Sequence, residues 1–219
     1  MIEVKDVSKR FGAVHALRAV SMQLGAGERI AFVGSNGSGK TTLLRSILGL
    51  MRFEGTITVK GVDVAKHPER VLQSLAYVPQ IVPPLEAPVN EVARAICALR
   101  GMPLEAPLTI ARELGLDVDR ALHTRFRDLS GGMKQKLLVS LALAAPAEIL
   151  VCDEPTANLD PEAREIFIDK LARRPKSGLT LLCSHRSEEV AELVDRVIEL
   201  RDGVVLRDAK QAPSSSEES

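Results

Sequence analysis

The chain has 219 residues, 45% of them hydrophobic, and its 29 Lys and Arg are balanced by 29 Asp and Glu. That size and composition suit one globular domain with a packed core and exclude wholesale disorder. A net charge of +0 removes the electrostatic footprint of a nucleic-acid binder and any general attraction to anionic lipid, so no nucleic-acid partner is expected.

A bilayer span needs roughly 20 apolar residues. The best candidate, Leu137 to Cys152, is interrupted by Pro146 and Glu148. The opening Met-Ile-Glu-Val-Lys-Asp lacks the basic-then-apolar pattern of a secretory leader. Cys97, Cys152 and Cys183 fit neither a metal spacing nor a disulfide framework. Cys152 and Cys183 stand in apolar runs, where cysteine acts as a small hydrophobe. The expected compartment is the reducing cytosol.

In chain order, Ile2 to Val4, Ser21 to Leu24 and Arg29 to Val33 read as strands, with Gly25 and Gly27 marking turns. Ile30 to Val33 is wholly apolar, as a buried strand is. A glycine-rich loop follows, then a helix from about Lys40 to Leu50, then a hairpin around Lys60-Gly61. From about Val82 to Arg127 the composition changes to periodic helical stretches, Val89 to Leu99 and Leu108 to Leu116, broken by Pro83, Pro84, Pro88, Pro103 and Pro107. This reads as an inserted helical lobe, about 82–135 when the start of the next helix is included.

Beyond it, Met133 to Ala145 is a helix stopped by Pro146, and Ile149 to Cys152 is a buried strand. Pro161 to Arg174 is an amphipathic helix, and Leu179 to Cys183 another buried strand. Such alternation implies a mostly parallel sheet flanked by helices. Asp202-Gly203 marks a final hairpin, and 213–219 has the Ser/Glu composition of a disordered tail. The expected fold is α/β: a single domain over 1–212 with a mostly parallel sheet flanked by helices, an N-terminal antiparallel β subdomain and the inserted α-helical lobe.

Residues 34 to 41 read Gly-Ser-Asn-Gly-Ser-Gly-Lys-Thr between a buried strand and a helix, the phosphate-binding P-loop pattern in its proper context, so the expected core is that of a P-loop NTPase. Its glycines let backbone N–H groups form an anion nest, and the helix end adds its positive dipole. Lys40 is placed for the β- and γ-phosphates of a nucleotide and the Thr41 hydroxyl for Mg²⁺. Ile149 to Glu154 is an apolar strand ending in two carboxylates. Asp153 suits the Mg²⁺ side of a P-loop, at the strand end where parallel sheets bind ligands. Glu154 suits polarisation of an attacking water. The bland alternative is two acids in a surface turn before Pro155.

A second glycine motif, Leu-Ser-Gly-Gly-Met-Lys-Gln, spans 129 to 135. Ser130 is a good N-cap, and Gly131 and Gly132 free amides at another positive helix end. Read alone, it is one well-capped helix. Placed between a P-loop and an Asp-Glu strand, it resembles the ATP-binding cassette (ABC) transporter family's nucleotide-binding domain, over nearly the whole chain. Met133 stands where that family most often has Gln, and Cys152 replaces a commoner aliphatic; neither removes a phosphate ligand.

The resemblance implies an ATPase working as a head-to-tail homodimer or heterodimer, each ATP held between one P-loop and the other subunit's Leu-Ser-Gly-Gly. ATP contacts are then expected from Phe11 (stacked on adenine), from Gly34, Ser35, Asn36, Gly37, Ser38, Gly39, Lys40, Thr41 and Thr42, and across the dimer from Ser130, Gly131, Gly132 and Asp160. Mg²⁺ is expected on Thr41, Gln80 and Asp153. Gln80 matches the family's Q-loop and His185 its switch histidine, so both join Glu154 as catalytic candidates.

A separate membrane subunit is implied as partner, with the chain on the inner face of the cell membrane and exporter-type pairing by analogy. Val82, Leu85 and Val89, just after Gln80, are expected to form a groove for a helix of that subunit. Asp160 before Pro161 is also a standard N-cap and N1 pair. The rival readings are a non-transport ABC ATPase, which usually adds coiled coils or zinc modules, and a P-loop kinase or GTPase, against which Leu-Ser-Gly-Gly argues.

Overall fold

The structure is a computed structural model that describes residues 1–184 and 193–211. The expected tail 213–219 and His185 lie outside the described residues. Two compact units emerge, one formed by Met1–Leu75 with Pro175–Ser219 and the other by Ala76–Arg174.

The first unit opens with β1 (Ile2–Phe11) and β2 (Val14–Leu24), antiparallel from Ile2 opposite Leu24 to Phe11 opposite Val14. Both are longer than their apolar stretches suggest. Their other residues face water, and register shifts interrupt the pairing where Asp6 and Ala19 take positive φ (48° and 47°). The opposite face buries Ile2, Val4, Leu17, Val20, Met22 and Leu24, the period-2 pattern of a half-buried sheet. β4 (Glu54–Val59) pairs with β1 and β5 (Val62–Asp63) with β4, so the order is β2-β1-β4-β5.

In the same unit β3 (Arg29–Val33) lies parallel to both β8 (Leu179–Ser184) and β9 (Arg196–Arg201). Ile30, Ala31 and Phe32 are fully buried. β10 (Val204–Lys210) returns antiparallel to β9 across Asp202-Gly203. α1 (Lys40–Ile47) follows β3, and buries Leu43, Leu44 and Ile47. A short helix unforeseen in the sequence, α2 (Pro68–Gln73), starts on a proline at its first turn, where the missing N–H costs nothing.

The second unit holds β6 (Leu75–Val78) beside β7 (Ile149–Asp153). Its helices are α3 (Val89–Arg100), α4 (Glu105–Glu113), α5 (Val118–Leu122), α6 (Gly131–Ala144) and α7 (Pro161–Ala172), with a 3₁₀ turn at Phe126–Asp128. Pro107 does not break α4. It sits in the first turn, whose N–H groups have no partner inside the helix. The helices close over Phe126, Leu116, Leu137, Leu108 and Val89, and the loop ends are tied by Val89 N to Thr124 O (3.0 Å) and Phe126 N to Ala87 O (2.9 Å). Val82 and Leu85, expected to form an exposed groove, are half-buried against this core, and Val89 is fully inside it; Ile81 (70% exposed) and Leu99 (85%) are the apolar side chains left in water.

Phe126 is 0% exposed at the centre of this cluster. Phe126→Ala is expected to destabilise the helical lobe by about 3–5 kcal/mol, read as a lowered denaturant midpoint by circular dichroism.

Candidate functional site

β3, buried from Ile30 to Val33, delivers the chain to Gly34, and the loop 34–39 then packs against its own unit. A Cβ on Gly34 would lie 2.2 Å from Leu200 O, and one on Gly39 2.5 Å from Ala16 O. Both glycines also have positive φ (146° and 109°), so the loop cannot form with side chains there. Gly203 N donates to Ser38 O (3.1 Å) and Arg18 N to Gly203 O (2.8 Å), which pins the β9–β10 turn and β2 to the loop.

Three features leave this loop wanting an anion. The α1 N-terminus has no side-chain cap and no acid in its first turn, so no negative charge of its own answers the positive end of its dipole. Lys40 is buried, 6% exposed, and its Nζ donates to Gly34 O (2.7 Å) and Ser35 O (3.0 Å). Among the described residues that ammonium pairs with no carboxylate. Ser38 Oγ is buried without a hydrogen-bond partner among the described residues. Ser35, Asn36 and Gly37 at the loop tip are exposed, while Thr41 and Thr42 are half-buried on α1. A phosphate group would satisfy each of these donors.

Phe11, in the polar-flanked run Lys9-Arg10-Phe11-Gly12, is expected to stack on adenine and to lie in a loop. It is instead the last residue of β1, before the Gly12-Ala13 turn. Its ring is 51% exposed, with Lys9 Nζ 5.0 Å from the centroid. An exposed ring of this kind is not a core phenylalanine, and its face suits stacking.

In the second unit Asp153 ends β7 at 1% exposure, and Glu154 follows at 8% with φ 53°. A left-handed conformation is uncommon for Glu, and the sequence carried no sign of it. Burial is the main reason the neighbouring Cys152 thiol is pushed up to about 12; Arg174 opposes the shift and Asp153 adds to it. Cys152 is thus an inert hydrophobe. Gln80 is exposed in the loop after β6. Thr41, Gln80 and Asp153 each offer a side-chain oxygen, the donor Mg²⁺ prefers alongside phosphate oxygens. Among the described residues no group of three His, Cys, Asp or Glu is placed to bind a metal.

The second glycine motif folds as its sequence suggests. Ser130 is exposed and caps α6, its Oγ accepting from Met133 N at 3.2 Å. The hydroxyl proton remains available for donation. Ser130, Gly132, Lys136, Asp160 and Arg120 line an open cavity of about 460 Å³. Asp160 caps α7 by accepting from Ala163 N (2.9 Å), and pairs with Lys136 Nζ at 2.6 Å. Two functional candidates escaped the sequence reading. Gln135 is a polar side chain at 1% exposure, and Lys136 is the partner of Asp160. Gln135 stands two positions before the apolar run Leu137 to Val139.

The Lys136 hydrogen bond is the first cause, ahead of the Ala163 amide, that holds the Asp160 carboxyl below its usual 3.8. A lowered folded value means the pair's stabilisation is present above 3.8 and is lost as pH falls through the folded value. By NMR titration, Asp160 is expected to titrate below 3.8, and Lys136→Met is expected to move it back toward that value. An Asp160 titration unmoved by Lys136→Met would contradict the pairing.

A family model described as ABC transporter matches residues 17–157. The Nod factor export ATP-binding protein I of Burkholderia lata is 33% identical over 208 residues, covering 92% of this chain and 68% of that protein. A solved structure of the ATP binding subunit of an ABC transporter has TM-score 0.84 at 28% identity, covering 96% of this chain and 90% of the other. The ATP-binding cassette MJ0796, solved as a dimer in a post-hydrolysis state bound to ADP and Pi, has TM-score 0.83 at 25% identity, covering 96% and 98%. No helix among the described residues is long and apolar enough to cross a membrane. The chain belongs to the ABC transporter family, as an ATP-binding and ATP-hydrolysing subunit with the α/β fold of its cassettes.

Proposed function

We propose that this subunit powers export through a separate membrane subunit, by closing head-to-tail with a second cassette around two ATP molecules and opening after hydrolysis. The observation that carries the site assignment is the buried Lys40 ammonium, which bonds loop carbonyls and pairs with no carboxylate among the described residues. A buried cation of this kind is stable only with an anion in prospect. Support for the export reading comes from the likeness to a Nod factor export subunit, and support for the dimer from the dimeric MJ0796 cassette.

In this reading Phe11 stacks on adenine. The amides of residues 34–39, the α1 N-terminus, Lys40 and the Thr42 side bind the triphosphate. Thr41, Gln80 and Asp153 hold Mg²⁺, which when bound supplies Lewis-acid neutralisation of phosphate charge. Ser130, Gly131 and Gly132 of the opposite subunit donate to the γ-phosphate, and Asp160 lies at the same interface. Preorganised donors of this sort act on the charge that develops in the transition state. Glu154 accepts a proton from the attacking water. His185 is proposed to contact the γ-phosphate; it lies outside the described residues. The cassette dimer works at the inner face of the membrane, held there by its membrane partner.

Glu154→Gln is expected to keep ATP affinity, nearly abolish steady turnover and trap an ATP-bound dimer on gel filtration. Turnover within about threefold of wild type, a loss well under 1 kcal/mol, would remove Glu154 from the chemistry. The shared site has its own test. Ser130→Arg should block closure by bulk, and Lys40→Ala should abolish phosphate binding. Mixing the two inactive subunits builds dimers with both defects at one site and none at the other, so ATPase activity should partly return. Absence of recovery, with activity independent of protein concentration in the wild type, would refute the shared site.

A further inference from the structure

The segment from Glu154 to Asp160 joins the carboxylate proposed to activate water to the N-cap of α7, and three successive contacts bind it to the first turns of α6. Gln135 Nε2 donates to Pro155 O at 2.9 Å, in a buried position. Lys136 Nζ pairs with Asp160 at 2.6 Å. A Cβ on Gly132 would stand 3.1 Å from Asn158 O, so the helix start rests directly on the segment's backbone. Inside the segment, turns are closed by Ala157 N to Glu154 O (3.3 Å) and Leu159 N to Thr156 O (3.2 Å).

Glu154 sits at φ 53°. A non-glycine residue persists there only where its surroundings impose the conformation. The carbonyl of the next residue, Pro155 O, one peptide beyond Glu154, accepts from the Gln135 carboxamide. Gln135 is 1% exposed, so no water competes for that bond. A buried polar side chain so placed has a narrow set of geometries. Ser130 caps the same helix five residues earlier, about 7.5 Å along a rigid rod.

We propose that Gln135 is a positioning residue: through its bond to Pro155 O it holds Glu154 in the reactive conformation, and it ties that conformation to the α6 end that carries Ser130. This rests on the reading of Glu154 as the group that activates water. In a head-to-tail dimer, one subunit's Ser130 and Glu154 serve different ATP molecules. The α6 clamp therefore makes engagement of one ATP by Ser130 a condition on hydrolysis of the other by Glu154.

The test is a double-mutant cycle on the full chain, using single-turnover ATP hydrolysis so that slow rates are measured. Gln135→Met keeps the side-chain length and removes the donor; Gln135→Leu is the second variant. Gln135→Met is expected to lower the hydrolysis rate about tenfold or more, equivalent to about 1.4 kcal/mol or more, with ATP affinity and cooperative unfolding retained. It should also lower the Hill coefficient for ATP. In the Glu154→Gln background the same change is expected to slow hydrolysis no further, because residues acting through one group are not additive. Wild-type rates in Gln135→Met, with Glu154→Gln inactive, would overturn this inference and leave the function intact. Additive slowing in the double variant, or loss of folding and ATP binding in both Gln135 variants, would mark Gln135 as structural and overturn it. Near-normal turnover in Glu154→Gln would overturn both.

Discussion

Holding a multiply charged phosphate chain on backbone amides requires that no side chain stand between the amides and the anion, and that nothing negative lie behind them. The loop after β3 meets the first demand with glycines at the contacts where a Cβ would strike Leu200 O or Ala16 O. It meets the second with an α1 N-terminus that has neither a capping side chain nor an acid. Such a helix end is poorly satisfied on its own. The cost falls on the surrounding sheet, and β3, buried from Ile30 to Val33, with its parallel neighbours β8 and β9 supplies the packing that keeps the loop in place. The β9–β10 turn contributes directly, through Gly203 N on Ser38 O. A hairpin distant in sequence is thereby part of the phosphate loop's support.

The second unit meets a different demand. There a strand must end in buried carboxylates that remain usable. Asp153 and Glu154 are nearly inaccessible, and the chain turns sharply through a left-handed Glu154 before reaching Pro155. Burying a carboxylate is expensive unless its surroundings are polar and fixed. The α6 contacts at Pro155, Asn158 and Asp160 supply that fixity from a single rigid helix.

Much of this was legible from the residues because local chemistry and pattern agree. The apolar run before Gly34, the Asp202-Gly203 hairpin, and the caps Ser130 and Asp160 each appear where their side chains dictate. What was not legible depended on contacts distant in sequence. The lengths of β1 and β2 are set by pairing, since their outer residues are polar and their bulges fall at Asp6 and Ala19. α2 is six residues long, too short to show a helical period. Pro107 reads as a breaker until the start of α4 is known to lie two residues before it. Val82 and Leu85 looked like a docking surface because the core they join is assembled from Leu108, Phe126 and Leu137, far along the chain. Glu154's conformation and Gln135's bond have no local signature, being consequences of tertiary packing.

The helix caps show how charge divides the labour. α5 and α7 are capped by Asp117 and Asp160, the choice that best stabilises an isolated helix end. At α1 the N-cap is Gly39, without a side chain; a carboxylate cap there would repel the phosphate proposed to bind that end. α6 takes the intermediate solution. Ser130 satisfies the Met133 amide as an acceptor, adds no negative charge, and keeps a proton to donate. An Asp at that position would cap the helix equally well and repel any phosphate brought to it. Of the two acidic caps beside this surface, Asp117 and Asp160, Asp160 has its charge answered by Lys136 on α6 itself. α2, α3 and α4 also lack a capping side chain, but each carries an acid in its first turn, Glu69, Glu91 and Glu105; among the described α-helices only α1 and α6 have neither an acidic cap nor a first-turn acid, and these are the two ends proposed to face phosphate.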